Sequence, residues 1–126
     1  MTTIRVLLVE DNEVYRSTLE LLLPGRAGIE VVGSVADGGE AAAAAERLDP
    51  DVVLMDFRLP GLDGAQATAA VRARAPRAAI ICLTAEATPE EREAVLAAGA
   101  VGFVEKGRPT EELVAAIRSA TRPPTE

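Results

Sequence analysis

Five polar side chains stand at the ends of apolar stretches of this sequence: Glu10, Asp11, Asp56, Thr84 and Lys106. Asp56 is the most informative of them, because the run VVLMD that it ends is typical of a central parallel strand buried on both faces. An ionised carboxylate in such surroundings is costly unless something compensates for its charge. Asp56 is therefore the first candidate for a chemical role.

Taken together, these residue types can support phosphoryl chemistry. Three clustered carboxylates repel one another, and a divalent cation is the natural compensation. The sequence contains no histidine, and oxygen ligands alone suit Mg²⁺ or Mn²⁺. A lysine and a threonine hydroxyl stabilise the oxygens of a transferring phosphoryl group, and Asp56 is then the nucleophile that forms an aspartyl phosphate.

Each of these residues also has an ordinary structural interpretation. Glu10 and Asp11 fit a solvated strand end and a helix cap, Thr84 fits a hydroxyl that caps a turn, and Lys106 fits a surface lysine. Their joint occurrence at the corresponding ends of four predicted strands favours a single site. Side chains at the carboxyl ends of neighbouring parallel strands converge on one crevice, which is where ligands bind.

The elements that must position these residues are predicted by an alternation of apolar, β-branched runs with helical patterns, which indicates a mostly parallel α/β sheet. We expect strands at residues 5–10, 30–34, 52–56, 79–84 and 102–105, and helices at residues 13–23, 39–48, 65–75, 89–98 and 110–120. The fourth helix has the clearest boundaries. Thr88 and Glu91 form a capping pair, Pro89 opens the first turn, and Gly99 follows the last one.

Length and composition exclude several classes of protein. With 126 residues, the chain is expected to form one domain over residues 1–121, followed by a polar tail or the start of a linker at 122–126. A net charge of −7 argues against direct nucleic acid binding by this domain. No run approaches the ~20 apolar residues of a membrane span, and no signal peptide is recognisable, so we expect a cytoplasmic protein without membrane association. The single cysteine, Cys82, lies in an apolar run and is predicted to be a buried core residue.

Four motifs follow one another along nearly the whole chain: RVLLVEDNEVYR, DVVLMDFRLPGLDG, IICLTA and AGAVGFVEK. With this set the sequence resembles the response-regulator receiver domains of bacterial two-component signalling. The resemblance implies a flavodoxin-like receiver fold, a doubly wound five-stranded parallel sheet in the order 2-1-3-4-5. It also implies a phosphorylation switch that catalyses only its own phosphorylation and dephosphorylation, and not a conventional enzyme.

The resemblance assigns roles to the candidate site residues. Glu10 and Asp11 look like the acidic metal-binding pair, Asp56 like the phosphoacceptor and Lys106 like the phosphate-contacting lysine. The main-chain carbonyl of Arg58 would be a further protein ligand to Mg²⁺.

The switch residues of the family correspond here to Thr84, the switch hydroxyl, and Phe103, the switch aromatic residue. Two departures accompany this match. Many members have a proline directly after the lysine, with a cis bond before it, whereas Lys106 is followed by Gly107 and the proline comes only at Pro109. Phe103 replaces the commoner tyrosine, so its ring has no hydroxyl that could hold an inward or outward position.

The expected partners follow from the same resemblance. Because the sequence contains no histidine, the phosphohistidine donor must be another protein, a sensor histidine kinase. A homodimer formed on phosphorylation is a further expectation. The ending GFVEKGRPTEEL resembles receivers of transcription regulators with a C-terminal helix-turn-helix domain, and a stand-alone receiver acting through protein–protein contacts is the alternative.

Other classes fit the site less well. A phosphatase of the haloacid dehalogenase type would have a second aspartate at the position of Arg58. An FMN-binding flavodoxin would have a glycine- or hydroxyl-rich phosphate loop where this sequence has EDNEVY, whose acidic residues repel a phosphate. The complete set of site residues argues against a receiver-like domain that only binds a partner.

Two further charged residues lie near the predicted crevice. Arg58 comes two residues after Asp56, and Glu86 two residues after Thr84, so both should project over its mouth. They are either unrelated exposed charges or a pair that gates the opening. Such a gate would hinder the water that hydrolyses the aspartyl phosphate and would lengthen its lifetime.

Overall fold

Strands and helices alternate along residues 3–59 and 62–121, the part of the chain that the computed structural model describes. The strands are β1 (Ile4–Val9), β2 (Ile29–Val35), β3 (Val52–Asp56), β4 (Ala79–Thr84) and β5 (Gly102–Glu105). The helices are α1 (Glu13–Leu22), α2 (Gly38–Leu48), α3 (Gly64–Arg74), α4 (Pro89–Ala98) and α5 (Thr110–Thr121). The predicted tail at 122–126 and residues 1, 2, 60 and 61 lie outside the described residues.

All neighbouring strands pair in parallel, in the order β2-β1-β3-β4-β5, which confirms the predicted doubly wound sheet. The central strand β3 is buried over its whole length. Its side chains alternate between the faces, as strand geometry requires. Val53 and Met55 pack on the side covered by α2, α3 and α4, whereas Val52 and Leu54 pack on the side covered by α1 and α5.

The helix boundaries follow from capping residues. At α4 the predicted signals are confirmed: Thr88 Oγ1 accepts a hydrogen bond from Glu91 N at 3.1 Å, and Glu91 Oε1 accepts one from Thr88 N at 2.9 Å. Gly99 ends the helix with a φ of 122°, a conformation that favours glycine. The α3 helix begins one residue earlier than predicted, because Asp63 and Gln66 form a second capping box.

The predicted elements end within one residue of the observed ones. A short 3₁₀ helix at Arg26–Gly28, between α1 and β2, was not predicted from the sequence. It contains Ala27 at a φ of 52°, and Gly25 before it has a φ of 89°. A connection of this kind depends on individual dihedral angles, so it leaves no periodic pattern of apolar residues.

Cys82 lies in β4 and is buried, as predicted. Its burial raises the pKa of the thiol to about 12, so the group stays protonated near neutral pH. No helix of residues 3–59 and 62–121 combines the length and the apolar character that crossing a bilayer requires.

Candidate functional site

The predicted site residues lie at the carboxyl edge of the sheet. Glu10 follows β1, Asp56 and Thr84 end β3 and β4, and Lys106 follows β5. The main-chain N–H of Lys106 donates to the carbonyl oxygen of Thr84 at 2.8 Å, which holds the lysine against the end of β4. Glu10, Asp56 and Thr84 are buried, whereas Asp11 is exposed.

Lys106 joins two buried carboxylates. Its Nζ lies 2.9 Å from Glu10 Oε1 and 3.1 Å from Asp56 Oδ2. The other Glu10 oxygen, Oε2, accepts hydrogen bonds from Lys106 Nζ at 3.1 Å and from Asn12 N at 3.0 Å. Glu10 is fully buried, and the donors at Oε2 replace part of the water that its carboxylate has lost. Its Oε1 faces the charge of Lys106 but has no hydrogen-bond partner among the described residues.

Burial and neighbouring charges together set the pKa values of the site. Burial raises the pKa of Asp56, and the carboxylate of Glu10 raises it further. The N–H of Arg58, which donates to Asp56 Oδ1 at 3.2 Å, and the charge of Lys106 act in the opposite direction. Burial lowers the pKa of Lys106, but the hydrogen bond to Glu10 and the charges of Asp56 and Glu10 outweigh it and raise that pKa overall.

A divalent cation fits the acidic residues. Glu10, Asp11 and Asp56 each offer a carboxylate oxygen, and these oxygens lie within 4.8 Å of one another. Oxygen ligands of this kind suit Mg²⁺, which is held by a few carboxylates and keeps waters in its other positions. Burial and the carboxylate of Glu10 raise the pKa of Asp56 although Lys106 acts against them, and a bound cation would favour the charged form of this carboxylate further. The cluster thus has the chemistry of a magnesium site.

Thr84 carries a buried hydroxyl whose Oγ1 has no hydrogen-bond partner among the described residues. Buried polar atoms are almost always hydrogen-bonded, because an unpaired one costs free energy. Thr84 is the last residue of β4, and β4 pairs with β3, which ends at Asp56. The hydroxyl is therefore free to donate to an oxygen that arrives at this edge of the sheet.

Of the two alternatives for Arg58 and Glu86, the structure does not show the pair of their side chains among the described residues. Arg58 Nη2 donates to the main-chain carbonyl of Glu86 at 3.3 Å, and its carboxylate partner is Glu91, at 3.5 Å. The reason is the α4 capping box, which holds Glu91 Oε1 at the start of the helix, within reach of the guanidinium. The carboxylate of Glu86 is thus not the partner that spacing along the sequence suggested.

Phe103 lies on β5 with its ring partly exposed, packed against the apolar cluster under α2, α3 and α4. The guanidinium carbon of Arg92, from α4, lies 5.2 Å from the centre of this ring. Arg92 Nη2 also lies 3.7 Å from Glu105 Oε2. The sequence analysis did not single out either Arg92 or Glu105.

The glycine that stands directly after Lys106, where many family members have a proline, has a local explanation. Gly107 has a φ of 92°, which glycine adopts readily and which proline, with φ near −65°, cannot adopt. The described peptide bonds, Lys106–Gly107 among them, are not cis. The chain therefore leaves the lysine by a path that requires glycine.

Three residues near the start of α1 support the site and were missed. Asn12 caps α1 through its side chain while its N–H donates to Glu10, and Arg16 Nη1 donates to the main-chain carbonyl of Glu10 at 2.8 Å. The ring of Tyr15 lies 5.0 Å from Lys106 Nζ. Asn12 could have been recognised as a cap after the acidic pair, but the contacts of Tyr15 and Arg16 depend on the helix position.

Comparison with known proteins adds independent findings. The family model described as response regulator receiver domain matches residues 6–118. The transcriptional regulatory protein LiaR of Bacillus subtilis is 37% identical over 119 residues, which cover 94% of this chain and 56% of that protein. The chain thus spans about half the length of the curated relatives it matches.

Solved structures are similar over the same region. A LuxR-family two-component response regulator from Aurantimonas superposes with a TM-score of 0.88 at 35% identity, covering 95% of this chain and 86% of that one. The receiver domain of a sensor histidine kinase from Pseudomonas aeruginosa, with a magnesium ion coordinated in its active site cleft, superposes with a TM-score of 0.82 at 40% identity. That match covers 95% of this chain and 98% of the other.

Proposed function

The chain belongs to the response regulator receiver domains of two-component signalling, and on this basis we propose that Asp56 accepts a phosphoryl group that sets the domain as a switch. A receiver domain is not a conventional enzyme, and its chemistry is confined to its own modification. The observation that carries the proposal is the contact of Lys106 Nζ with Asp56 Oδ2 at 3.1 Å, beside carboxylates within 4.8 Å of one another.

The transfer needs a nucleophilic oxygen and a neutralised phosphoryl group. A carboxylate oxygen of Asp56 attacks the phosphorus of a phosphohistidine, the new P–O bond forms as the P–N bond breaks, and the imidazole leaves with a proton. Lys106 offsets the charge that the phosphoryl oxygens carry. The 126 residues contain no histidine, and membership of the family implies a histidine kinase as the phosphoryl donor.

The metal site of the proposal consists of Asp11 and Asp56 as direct ligands, with Glu10 acting mostly through a water. This division is supported by the contacts of Glu10, whose oxygens already face Lys106 and Asn12. The main-chain carbonyl of Arg58 is the further proposed ligand, and Mn²⁺ is an alternative ion. When bound, the cation neutralises charge on the phosphoryl oxygens.

The switch of the proposal consists of Thr84 and Phe103. The unpartnered hydroxyl of Thr84 moves to donate a hydrogen bond to the phosphoryl group, and Phe103 turns inward into the space beside it. The surface formed by α4, β5 and α5 then changes, and a partner that binds this surface responds to the phosphoryl group on Asp56.

The output proposed here is control of transcription through a C-terminal DNA-binding domain, since the receiver matches only about half of regulators such as LiaR. Residues 1–121 would be the receiver and 122–126 the start of a linker, in a cytoplasmic protein that dimerises on phosphorylation. The net charge of −7 supports an output domain, not the receiver, as the part that contacts nucleic acid. A stand-alone receiver is the alternative, and the sequence of the gene after Glu126 distinguishes the two.

Phosphorylation by a small donor tests the central claim. Acetyl phosphate with Mg²⁺ should add one phosphate to the protein, seen by intact mass, and Asp56→Asn should abolish the addition. Asp49→Asn is a matched control, because Asp49 lies at the other end of the sheet with a φ of 51°, which asparagine tolerates. Equal phosphorylation of the Asp56 variant would refute the assignment.

A further inference from the structure

The ring of Phe103 has no polar group that could hold its orientation. It extends from β5, where Phe103 pairs in register with Cys82 of β4, and its ring is partly exposed beside α4. The face of a phenylalanine ring attracts cations, so a cation over that face can hold the ring electrostatically. A residue in this position affects how easily the ring turns.

Arg92 occupies that position. Its guanidinium carbon is 5.2 Å from the ring centre, within the ~6 Å range of a cation–π contact. The guanidinium is oriented in turn by Glu105, at 3.7 Å, and Glu105 is the register neighbour of Thr84. The arginine thus links α4 to β5 at the residue next to the switch threonine.

Few apolar contacts fix the first turn of α4, and besides Arg92 its polar contact with another element is the pair of Glu91 with Arg58. Val95 is its buried residue, and among the other elements the helix lies mainly against α3. Because few apolar contacts hold the start of α4 to β5, the contacts of Arg92 have a larger share in setting their relative position.

We propose that Arg92 is a positioning residue that holds the Phe103 ring in its resting orientation and so keeps the activated state sparsely populated. The inference rests on the proposed function, because it requires that phosphorylation turns this ring. Inward movement of Phe103 separates the ring from the guanidinium, so the contact favours only the resting state. A contact that favours one of two states shifts their ratio by its own free energy.

The experiment uses protein labelled with ring-¹³C phenylalanine, which leaves the electronic character of the ring unchanged. The sequence has only two phenylalanines, so Phe103→Leu assigns the two sets of ring signals. Spectra are recorded with Mg²⁺ alone and with beryllofluoride, a mimic of the phosphoryl group. The variants are Arg92→Gln, Arg92→Lys, and Arg77→Gln as an exposed arginine at the opposite edge of the sheet.

In Arg92→Gln, the Phe103 signals without beryllofluoride should move toward their activated position. The affinity for beryllofluoride should rise about two- to fivefold, the ratio expected from one cation–π contact at a partly exposed site. Arg92→Lys should fall between the wild type and the glutamine variant, because it keeps the charge but not the planar stacking. Arg77→Gln should match the wild type.

Two results would overturn the inference while leaving the proposed function intact. In both, the Phe103 signals of the wild type respond to beryllofluoride. In the first, Arg92→Gln keeps the wild-type signals and affinity for beryllofluoride. In the second, its signals and affinity change no more than those of Arg77→Gln. A wild-type protein whose Phe103 signals do not respond to beryllofluoride with Mg²⁺ would instead refute the proposed switch, and the role of Arg92 with it.

Discussion

At the scale of single residues, Lys106 is the group on which the other charges of the site depend. It is the only lysine of the sequence, and its Nζ lies within 3.1 Å of the buried carboxylates of Glu10 and Asp56. Its ammonium offsets their mutual repulsion in the absence of metal and is well placed to contact a phosphoryl group. Structural and chemical roles therefore coincide in one side chain.

Replacing Lys106 by methionine should lower the free energy of unfolding by about 2 kcal/mol in the presence of EDTA. Removing one partner of a fully buried pair costs about 3–5 kcal/mol, and Lys106 keeps a fifth of its side chain exposed. Added Mg²⁺ should recover part of the loss, because it supplies positive charge to the same carboxylates. Urea unfolding with and without Mg²⁺ measures both effects.

Arg108→Met is the matched control for that variant. Arg108 is an exposed cation two residues after Lys106, paired with Glu112 of α5, and its loss should leave the unfolding curve nearly unchanged. A Lys106 variant as stable as the wild type in EDTA would contradict the role given to this lysine.

Asp11→Asn should weaken Mg²⁺ binding by roughly tenfold or more, because a carboxylate ligand of a small divalent cation is replaced by a neutral amide. Without metal the same variant should be at least as stable as the wild type, since one of three mutually repelling charges is gone. The shift of the melting temperature with Mg²⁺ concentration reports the affinity. Unchanged Mg²⁺ dependence would rule out Asp11 as a ligand, and Asp49→Asn controls for the loss of a surface charge.

At the scale of the elements, α4 is held differently from its neighbours. It has a single buried residue, Val95, whereas α2 and α3 bury several positions each. Its first turn is fixed by polar contacts: the capping box, the pair of Glu91 with Arg58, and the contacts of Arg92. Polar contacts at a helix end can be exchanged at low cost, which suits the shift between two states that we propose for α4.

Thr88→Ala should therefore loosen α4 locally. Loss of an N-cap costs about 1 kcal/mol, and here it should appear as faster amide exchange in α4, with α3 unchanged. Thr88→Ser should restore protection, because serine caps through the same oxygen. Exchange that accelerates equally in α3 and α4 would indicate that the cap contributes to global, not local, stability.

At the scale of the whole molecule, the fold separates the site from the surface of α4, β5 and α5 that we propose reports its state. The charged groups collect at the carboxyl edge of the sheet, while β4 and β5 connect this edge to the side of the domain formed by α4 and α5. An apolar cluster continues from Met55 through Cys82 to Phe103 and Val95. Close-packed groups of this kind transmit a displacement because they cannot deform continuously.

Beryllofluoride with Mg²⁺ should accordingly change amide signals in α4, β5 and α5 as well as at the site. The changes should be absent in Asp56→Asn, which cannot form the complex. Two-dimensional NMR spectra of the two proteins, each with and without beryllofluoride, provide the comparison. Changes confined to the loops around Glu10, Asp56 and Lys106 would mean that the switch does not reach this surface.

The sequence by itself determined the order and type of the main elements and the edge at which the site lies. Alternating apolar and helical patterns are local, as are capping signals such as Thr88 and Gly99, so they can be read without knowledge of distant contacts. Parallel strands carry their last side chains to one edge, and this rule alone brings Glu10, Asp56 and Thr84 together. The short 3₁₀ helix at Arg26–Gly28 was not predicted, because it has no such pattern.

Only the tertiary structure decided which side chains are partners. Spacing from Asp56 and Thr84 suggested that Arg58 pairs with Glu86, yet its carboxylate partner is Glu91, which the first turn of α4 presents at 3.5 Å. The contact of Arg92 with Phe103 likewise joins a helix to a strand. Such pairs depend on where whole elements dock, to within an ångström or two, and a hydrophobic pattern specifies which face a helix buries but not that distance.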